Sequence, residues 1–208
     1  MINAIALLTA IGRRPSSPDD TDASDASLLA RHRAGDLDAF PAMYRAHVVA
    51  VYRRLTRILG PIAEREDITQ DVFLALHRAL PRFREEAALK TLIHRIAINR
   101  AYEHLRRKSR RPARLEDASF FDDLVGAHTS PELQSAARED LVRVFECLAR
   151  IKPKKRIAFL LRVVDGLSFE EIGKLVDATP ETVAKRIQHA QRELDALLAR
   201  LEQREPFR

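Results

Sequence analysis

Apolar positions recur at spacings of three and four along most of the chain, which is the period of amphipathic helices. The longest run predicts a helix that opens at Asp36 and ends at Gly60. A second run stops at Pro81, and a third covers residues 89–105. Together with a short helix over 27–34, these runs predict a first helical unit whose members bury one another's apolar faces.

A second helical unit follows a stretch without periodicity, residues 109–130. At more than twenty residues this stretch is too long for an ordinary turn, so it predicts a linker or a segment that occupies a groove. Beyond it, proline or serine marks four helix starts, at Pro131, Pro153, Ser168 and Pro180. The spacing of Ser168 and Glu171 predicts a capping box.

The predicted fold class is therefore all-α, with two small helical domains, 27–108 and 131–203, joined by a flexible linker over 109–130. Residues 1–26 are predicted to be a disordered leader, because 13–25 are rich in Pro, Ser and Asp. The first dozen residues are apolar but too short to span a bilayer, and no basic residue precedes them. A disordered arm and a docking helix are the two structural interpretations of these residues.

The composition favours a protein that binds an anionic partner and argues against a nucleotide-binding or metal-dependent enzyme. Subtracting 30 acidic from 36 basic side chains gives +6, which favours an anionic partner. The six glycines are never spaced as a dinucleotide or P-loop fingerprint. The lone Cys147 cannot form an intrachain disulfide and suits the cytoplasm, and the seven histidines lack a metal-ligand spacing. We expect no catalytic residues, no metal and no cofactor.

The third and fourth helices of the second unit have the proportions of a helix-turn-helix, with the turn at 177–179. On this pattern alone, a solvated αα-hairpin is the alternative. A basic group at the start of the preceding helix shifts the balance towards nucleic acid. Its members are Lys152, Lys154, Lys155 and Arg156.

A second basic cluster lies between His94 and Arg114. Eight basic side chains face one acidic residue, Glu103, which gives +7 locally. Such repulsion is tolerated where a polyanion binds and releases its counterions. The alternative is a solvated helix end that runs into a flexible tail.

Particular strings resemble the sigma factors of bacterial RNA polymerase, in the extracytoplasmic-function (ECF) class. The string Arg65-Glu66-Asp67-Ile68-Thr69-Gln70-Asp71-Val72-Phe73 and the later Arg95-Ile96-Ala97-Ile98-Asn99-Arg100 are similar to region two. The strings Gly166-Leu167-Ser168-Phe169-Glu170-Glu171-Ile172-Gly173 and Pro180-Glu181-Thr182-Val183-Ala184-Lys185-Arg186 are similar to region four. The resemblance covers residues 27–201 in the expected order.

The resemblance implies a subunit that binds core RNA polymerase and directs promoter-specific initiation. It places Asp67, Gln70 and Asp71 against the clamp helices of the largest polymerase subunit, and region four near the beta flap. Carboxylates four residues apart on one helical face suit an arginine-rich partner. The resemblance also implies promoter DNA and a cognate anti-sigma factor as partners, with no membrane insertion.

Two groups of residues correspond to the DNA-contacting positions. The minus-ten group consists of Lys90, His94, Arg95, Asn99 and Arg100. The minus-thirty-five group consists of Thr182, Lys185, Arg186, Gln188, His189 and Arg192. Amide and guanidinium groups of this kind bind base edges and phosphates.

The chain departs from the family at three positions, where Leu89, Leu92 and His94 replace frequent aromatics. An aromatic side chain that stacks on an unpaired base contributes about 1–3 kcal/mol, and leucine lacks that planar contact. Two other functions therefore stay open at this point. One is a two-domain helix-turn-helix regulator that acts without polymerase, and the other is a partner-binding decoy with degraded promoter contacts.

Overall fold

The computed structural model describes residues 8–9, 19–60, 62–84, 87–108 and 131–204. These ranges contain eight α-helices and no strand, which confirms the all-α fold class. The linker predicted at 109–130 lies outside them. The helices are α1 (Asp19–Arg33), α2 (Ala39–Leu59), α3 (Arg65–Ala79), α4 (Leu89–Lys108), α5 (Pro131–Arg150), α6 (Pro153–Val163), α7 (Phe169–Val176) and α8 (Pro180–Arg204).

Helices α1–α4 form the first domain. Each contributes the apolar face that its periodicity predicts, with Val51 of α2, Val72 of α3 and Ile93 of α4 fully buried. Helix α2 ends because Gly60 adopts a positive φ of 77°, and the Gly60 amide donates to the Thr56 carbonyl at 2.9 Å. The predicted stop at Gly60 is thereby confirmed.

The disordered leader predicted to reach residue 26 is wrong over residues 19–26, because α1 begins at Asp19. Its side chain Asp25 is 3% exposed, and Asp25 Oδ1 lies 2.8 Å from His47 Nε2 on α2. Leu28 and Leu29 complete the buried face of α1. A polar composition thus concealed a helix that is held by a tertiary hydrogen bond.

Helices α5–α8 form the second domain, with a core built around Phe159 of α6 and Leu194 of α8. The predicted capping box at the start of α7 is confirmed. Ser168 Oγ accepts from the Glu171 amide at 3.1 Å, and the Ser168 amide donates to Glu171 Oε2 at 2.7 Å. Asp177 then ends α7 with a left-handed φ of 49°.

The two domains pack against each other. Ile157 and Leu161 of α6 and Ile172 of α7 belong to the same buried cluster as α2, α3 and α4. Lys154 Nζ lies 5.8 Å from the centre of the Tyr102 ring on α4, within cation–π range. Leu8, in the predicted leader, is fully buried in the second domain's core.

Candidate polymerase and nucleic-acid interfaces

Helix α3 has one buried face and one exposed polar face. Ile68, Val72 and Leu76 pack into the core at spacings of four. On the opposite side Asp67, Gln70 and Asp71 are all exposed. The structure therefore brings these three predicted residues together on a single solvent-facing surface, named here the α3 face.

Leu74 extends the α3 face by one turn, and sequence reasoning missed it. It follows Asp67, Gln70 and Asp71 at the next position of the same helical row, and it is 56% exposed. An exposed leucine beside acidic and amide groups supplies an apolar contact next to polar ones. The signal was available, because residue 74 falls outside the buried period of four.

Helix α4 presents a basic and amide surface through Arg95 and Asn99, which are exposed and lie one turn apart. Lys90 is partly exposed. Arg100 is 35% exposed and donates from Nη1 to Glu103 Oε2 at 2.8 Å, so that its charge is partly neutralised. Arg95 and Asn99 are named here the α4 face.

His94 does not belong to the α4 face, and its placement among surface DNA contacts needs correction. It is 8% exposed, and its Nδ1 has no hydrogen-bond partner among the described residues. Burial lowers the pKa of His94 to about 3, and the positive charges of Arg54 and Lys90 and the nearby His47 add to this effect. The imidazole is therefore a neutral core group at neutral pH.

The buried His94 should make the protein sensitive to acid. The folded-state pKa of about 3 lies below the ordinary value of 6.5, so the unfolded chain binds the proton more readily between these pH values. The stabilisation is complete above pH 6.5 and falls as the pH drops towards 3, by up to about 1.4 kcal/mol per pH unit for this group. Urea unfolding at several pH values from 6.5 to 4.5 measures the decline.

The variant His94→Leu tests the assignment, because it removes the titrating group and keeps an apolar filling. Its free energy of unfolding should fall less steeply with acid than that of the natural chain. His189→Gln is the matched control, since His189 is exposed. Equal slopes for His94→Leu and the natural chain would contradict the prediction.

The helix-turn-helix consists of α7, the turn 177–179 and α8. Thr179 Oγ1 accepts from the Thr182 amide at 3.3 Å, which caps α8. Beyond this cap, four predicted residues form one exposed row at spacings of three and four, named here the α8 face. They are Lys185, Gln188, His189 and Arg192. Thr182 and Arg186 are only partly exposed.

The basic group at the start of α6 is dispersed, which corrects its interpretation as one DNA-facing cluster. Lys154 lies over Tyr102, and Lys155 Nζ donates to Glu193 Oε1. Arg156 is 4% exposed, and burial lowers its pKa to about 10.

Among the described residues no group of three or more His, Cys, Asp or Glu is arranged to hold a metal ion. No helix in the described ranges is long and apolar enough to cross a membrane.

Comparison with protein families places the three faces in two known regions. Residues 43–111, which contain the α3 and α4 faces, match the family Sigma-70 region 2. Residues 141–194, which contain α7, the turn 177–179 and the part of α8 that carries the α8 face, match the family Sigma-70, region 4.

Curated relatives align over most of their own length. RNA polymerase sigma-H factor of Pseudomonas aeruginosa is 31% identical over 187 residues, which cover 86% of this chain and 95% of the relative. ECF RNA polymerase sigma factor SigM of Mycobacterium tuberculosis is 32% identical, with 86% of each chain covered. ECF RNA polymerase sigma-E factor of Escherichia coli is 30% identical and covered over 93% of its length.

Two solved structures share the fold. CnrH, in complex with the cytosolic domain of CnrY, superposes with a TM-score of 0.56 at 24% identity, covering 84% of this chain and 97% of that one. The sigma factor RpoE of Bartonella quintana, in complex with the anti-sigma factor NepR, gives a TM-score of 0.53 at 18% identity, covering 78% and 98%. With both sigma regions present in order and relatives above 30% identity, the chain belongs to the ECF family of RNA polymerase sigma factors.

Proposed function

We propose that this chain binds core RNA polymerase through the α3 face and directs promoter-specific initiation through the α4 and α8 faces. The strongest support for this proposal is the α3 face. Three polar residues are exposed on one side of α3, and the opposite side of the helix packs into the hydrophobic core. Carboxylates and an amide in this arrangement accept hydrogen bonds from arginines on a partner helix. The clamp helices of the largest polymerase subunit are the proposed partner.

The α4 face is proposed to hold the opened non-template strand at the minus-ten element. Arg95 neutralises phosphate, and Asn99 offers both a donor and an acceptor to a base edge. Leu89 is 2% exposed and His94 is also buried, so these two side chains supply no surface on which an unpaired base could stack. This burial weakens the argument that their missing aromatics mark a decoy.

The α8 face is proposed to enter the major groove at the minus-thirty-five element. A recognition helix reads bases through side chains in its first turns, while the preceding helix crosses the DNA backbone. Lys185 and Gln188 are exposed in this part of α8, and both can bind purine edges. His189 and Arg192 continue the same row, and Arg192 reaches phosphates.

Transcription with purified core RNA polymerase tests the proposal. Fragmented genomic DNA from the same bacterium supplies the templates, and the transcripts that require the factor are mapped. We expect factor-dependent starts that share two upstream elements. A regulator that acts without polymerase would instead bind specific duplex tightly on its own. A decoy would bind core polymerase and give no transcript.

Replacing Lys185 or Gln188 with alanine should change promoter choice at the upstream element only. A well-formed contact to a base edge contributes about 1–3 kcal/mol of discrimination, roughly 5- to 150-fold. Transcription from templates that vary at minus thirty-five or at minus ten measures this. Arg200→Ala is the matched control, because Arg200 is exposed near the end of α8, about two turns beyond the α8 face. An equal loss on every template would mean a phosphate contact and contradict base reading.

The proposed partners include a protein inhibitor. Each of the two solved structures with this fold is a complex, one with the cytosolic domain of CnrY and one with the anti-sigma factor NepR. An anti-sigma factor that covers both domains is the corresponding partner here. The proposed site of action is the cytoplasm, where the polymerase and the promoter are, and the proposed role makes or breaks no covalent bond.

A further inference from the structure

Two histidine rings lie side by side where α1 and α3 end. His32 is in the last turn of α1, and His77 is in the last turn of α3. Their ring centres are 6.2 Å apart, and the ring planes are inclined at 69°. His77 is exposed and His32 is partly exposed, so a solute can reach both rings. These two residues are called here the histidine pair.

Phe40 supports the histidine pair from the side of the core. Its ring centre lies 4.9 Å from that of His77, with the two planes nearly perpendicular at 89°, and 6.3 Å from that of His32. Phe40 also packs against the hydrophobic core that α1–α4 share. The edge-to-face contact therefore holds the His77 ring against a fixed neighbour and limits its rotation.

The histidine pair has no protein partner for its nitrogens within the described ranges, since neither ring forms a hydrogen bond or an ion pair there. The charged neighbours in the two last turns are engaged elsewhere or hydrated. Arg31 Nε lies 2.7 Å from Asp36 Oδ2, and Arg33 Nη2 donates to the Phe83 carbonyl at 2.9 Å. Arg78 is exposed, so water screens its charge. The imidazole nitrogens are thus available to a ligand.

The spacing of the rings fits one metal ion between them. An imidazole nitrogen binds Zn²⁺ at about 2.0–2.1 Å, which places the centres of two rings on one ion roughly 5–6.5 Å apart. The C-terminal ends of α1 and α3 carry partial negative charge, which favours a cation at this position. Imidazole suits late transition metals such as Zn²⁺ and Cu²⁺, whereas Mg²⁺ and Ca²⁺ prefer oxygen ligands.

We propose that the histidine pair binds one late divalent transition-metal ion, which ties the end of α1 to the end of α3. The nearby carboxylate of Asp36 is already committed, because Oδ2 accepts from Arg31 and Oδ1 accepts from the Asp38 amide. Water therefore completes the coordination. With two protein ligands the site is open, unlike the closed four-ligand set of a structural zinc site.

The sequence alone does not reveal this site, because its two members belong to helices that are far apart along the chain. On α3, His77 lies about two helical turns beyond Gln70, at the end of the α3 face. The inference does not depend on the proposed function. A chain that binds the metal but not core polymerase would contradict the proposed function alone, and a chain that binds only the polymerase would contradict the metal site alone.

Nuclear magnetic resonance of the full chain, labelled with ¹⁵N in its histidine rings, tests the site with Zn²⁺ as the probe. The ring-nitrogen resonances of His32 and His77 should shift together and saturate at one equivalent of Zn²⁺. The same concentration of Mg²⁺ should shift neither. Shifts that appear equally at the exposed His189, or that affect only one member of the pair, would overturn the inference.

The variants His32→Phe and His77→Phe test whether both ligands bind the same ion. Each keeps an aromatic ring beside Phe40 and removes the ring nitrogens. Isothermal titration calorimetry should show Zn²⁺ binding weakened at least about tenfold by either change, with little further loss in the double variant, because each single change already leaves a lone imidazole. His189→Phe is the matched control, since His189 is exposed on α8, and it should bind Zn²⁺ as the natural chain does.

Urea unfolding gives a second measurement of the same site. Zn²⁺ at about 100 times its dissociation constant should raise the ratio of folded to unfolded natural chain about 100-fold, and it should do so for His189→Phe but not for His77→Phe. Circular dichroism checks that each variant folds, and His32→Gln with His77→Gln replaces the phenylalanine variants if they do not. A single variant that binds Zn²⁺ as tightly as the natural chain would overturn the inference.

Discussion

Reversing the charge at Asp67 and Asp71 together, as Asp67→Lys with Asp71→Lys, should abolish binding to core RNA polymerase and leave the fold intact. Both carboxylates are exposed on the α3 face, so the substitutions remove no buried contact. Each lost charge-assisted hydrogen bond costs about 1.5–3 kcal/mol, and the new lysines repel an arginine-rich partner. The expected loss is at least about 100-fold in affinity.

Fluorescence anisotropy of the labelled chain, titrated with purified core enzyme, measures the loss. Glu139→Lys with Glu146→Lys is the matched control, because both glutamates are exposed on α5 and the change in net charge is the same. The control should bind core enzyme as the natural chain does. Retained binding by the α3 variant, or an equal loss in the control, would count against the α3 face as the docking surface.

The sequence predicted the helices well because helix periodicity is a local property. Positions 68, 72 and 76 repeat every four residues, and all three are buried in α3. The capping box at Ser168 is equally local, since its two hydrogen bonds join residues three apart. The same periodicity also indicates which residues of a helix face solvent. For this reason the sequence alone predicts the exposed residues of the α3 and α8 faces.

What the sequence did not disclose depends on contacts between distant residues. The sequence predicts a disordered leader around Asp25, and local patterns do not reveal its hydrogen-bond partner, His47, which lies 22 positions away. The sequence predicts His94 on a DNA-binding surface, but the side chain is 8% exposed, and the charge of Arg54 on α2 adds to burial in lowering its pKa. The carboxylate of Asp165 accepts a hydrogen bond from Arg57, which lies 108 positions earlier in the chain. Periodicity identifies the face of a helix that is covered, but not what covers it.

The basic residues illustrate the same limit for the candidate sites. Local charge drew attention to the start of α6, yet Arg156 there is buried and Lys155 is bound to Glu193. On α4, by contrast, Arg95 and Asn99 stay exposed. A charge count gives the number of basic side chains in a segment. Only the folded structure shows which of these side chains are exposed to a polyanion, and which are buried or paired with an acidic residue.

Gly173→Ala should damage the helix-turn-helix and with it recognition at the upstream element. A Cβ atom at residue 173 would lie 2.6 Å from the carbonyl oxygen of Ala178, which belongs to the turn between α7 and α8. Alanine normally stabilises a helix interior by about 1 kcal/mol relative to glycine. Here the obstructing atom is backbone, so the turn must shift, and we expect a net loss of about 1–3 kcal/mol in the free energy of unfolding.

The displaced turn should misdirect α8, because residues 177–179 set the angle between the two helices. Transcription should therefore lose its dependence on the minus-thirty-five element, while binding to core enzyme through the distant α3 face persists. Gly166→Ala is the matched control: its φ of 69° makes alanine unfavourable, but nothing lies within 4 Å of its Cβ position. It should lose stability without losing upstream recognition. A Gly173→Ala variant that unfolds at the same urea concentration as the natural chain and keeps its promoter choice would show that the turn accommodates the methyl group.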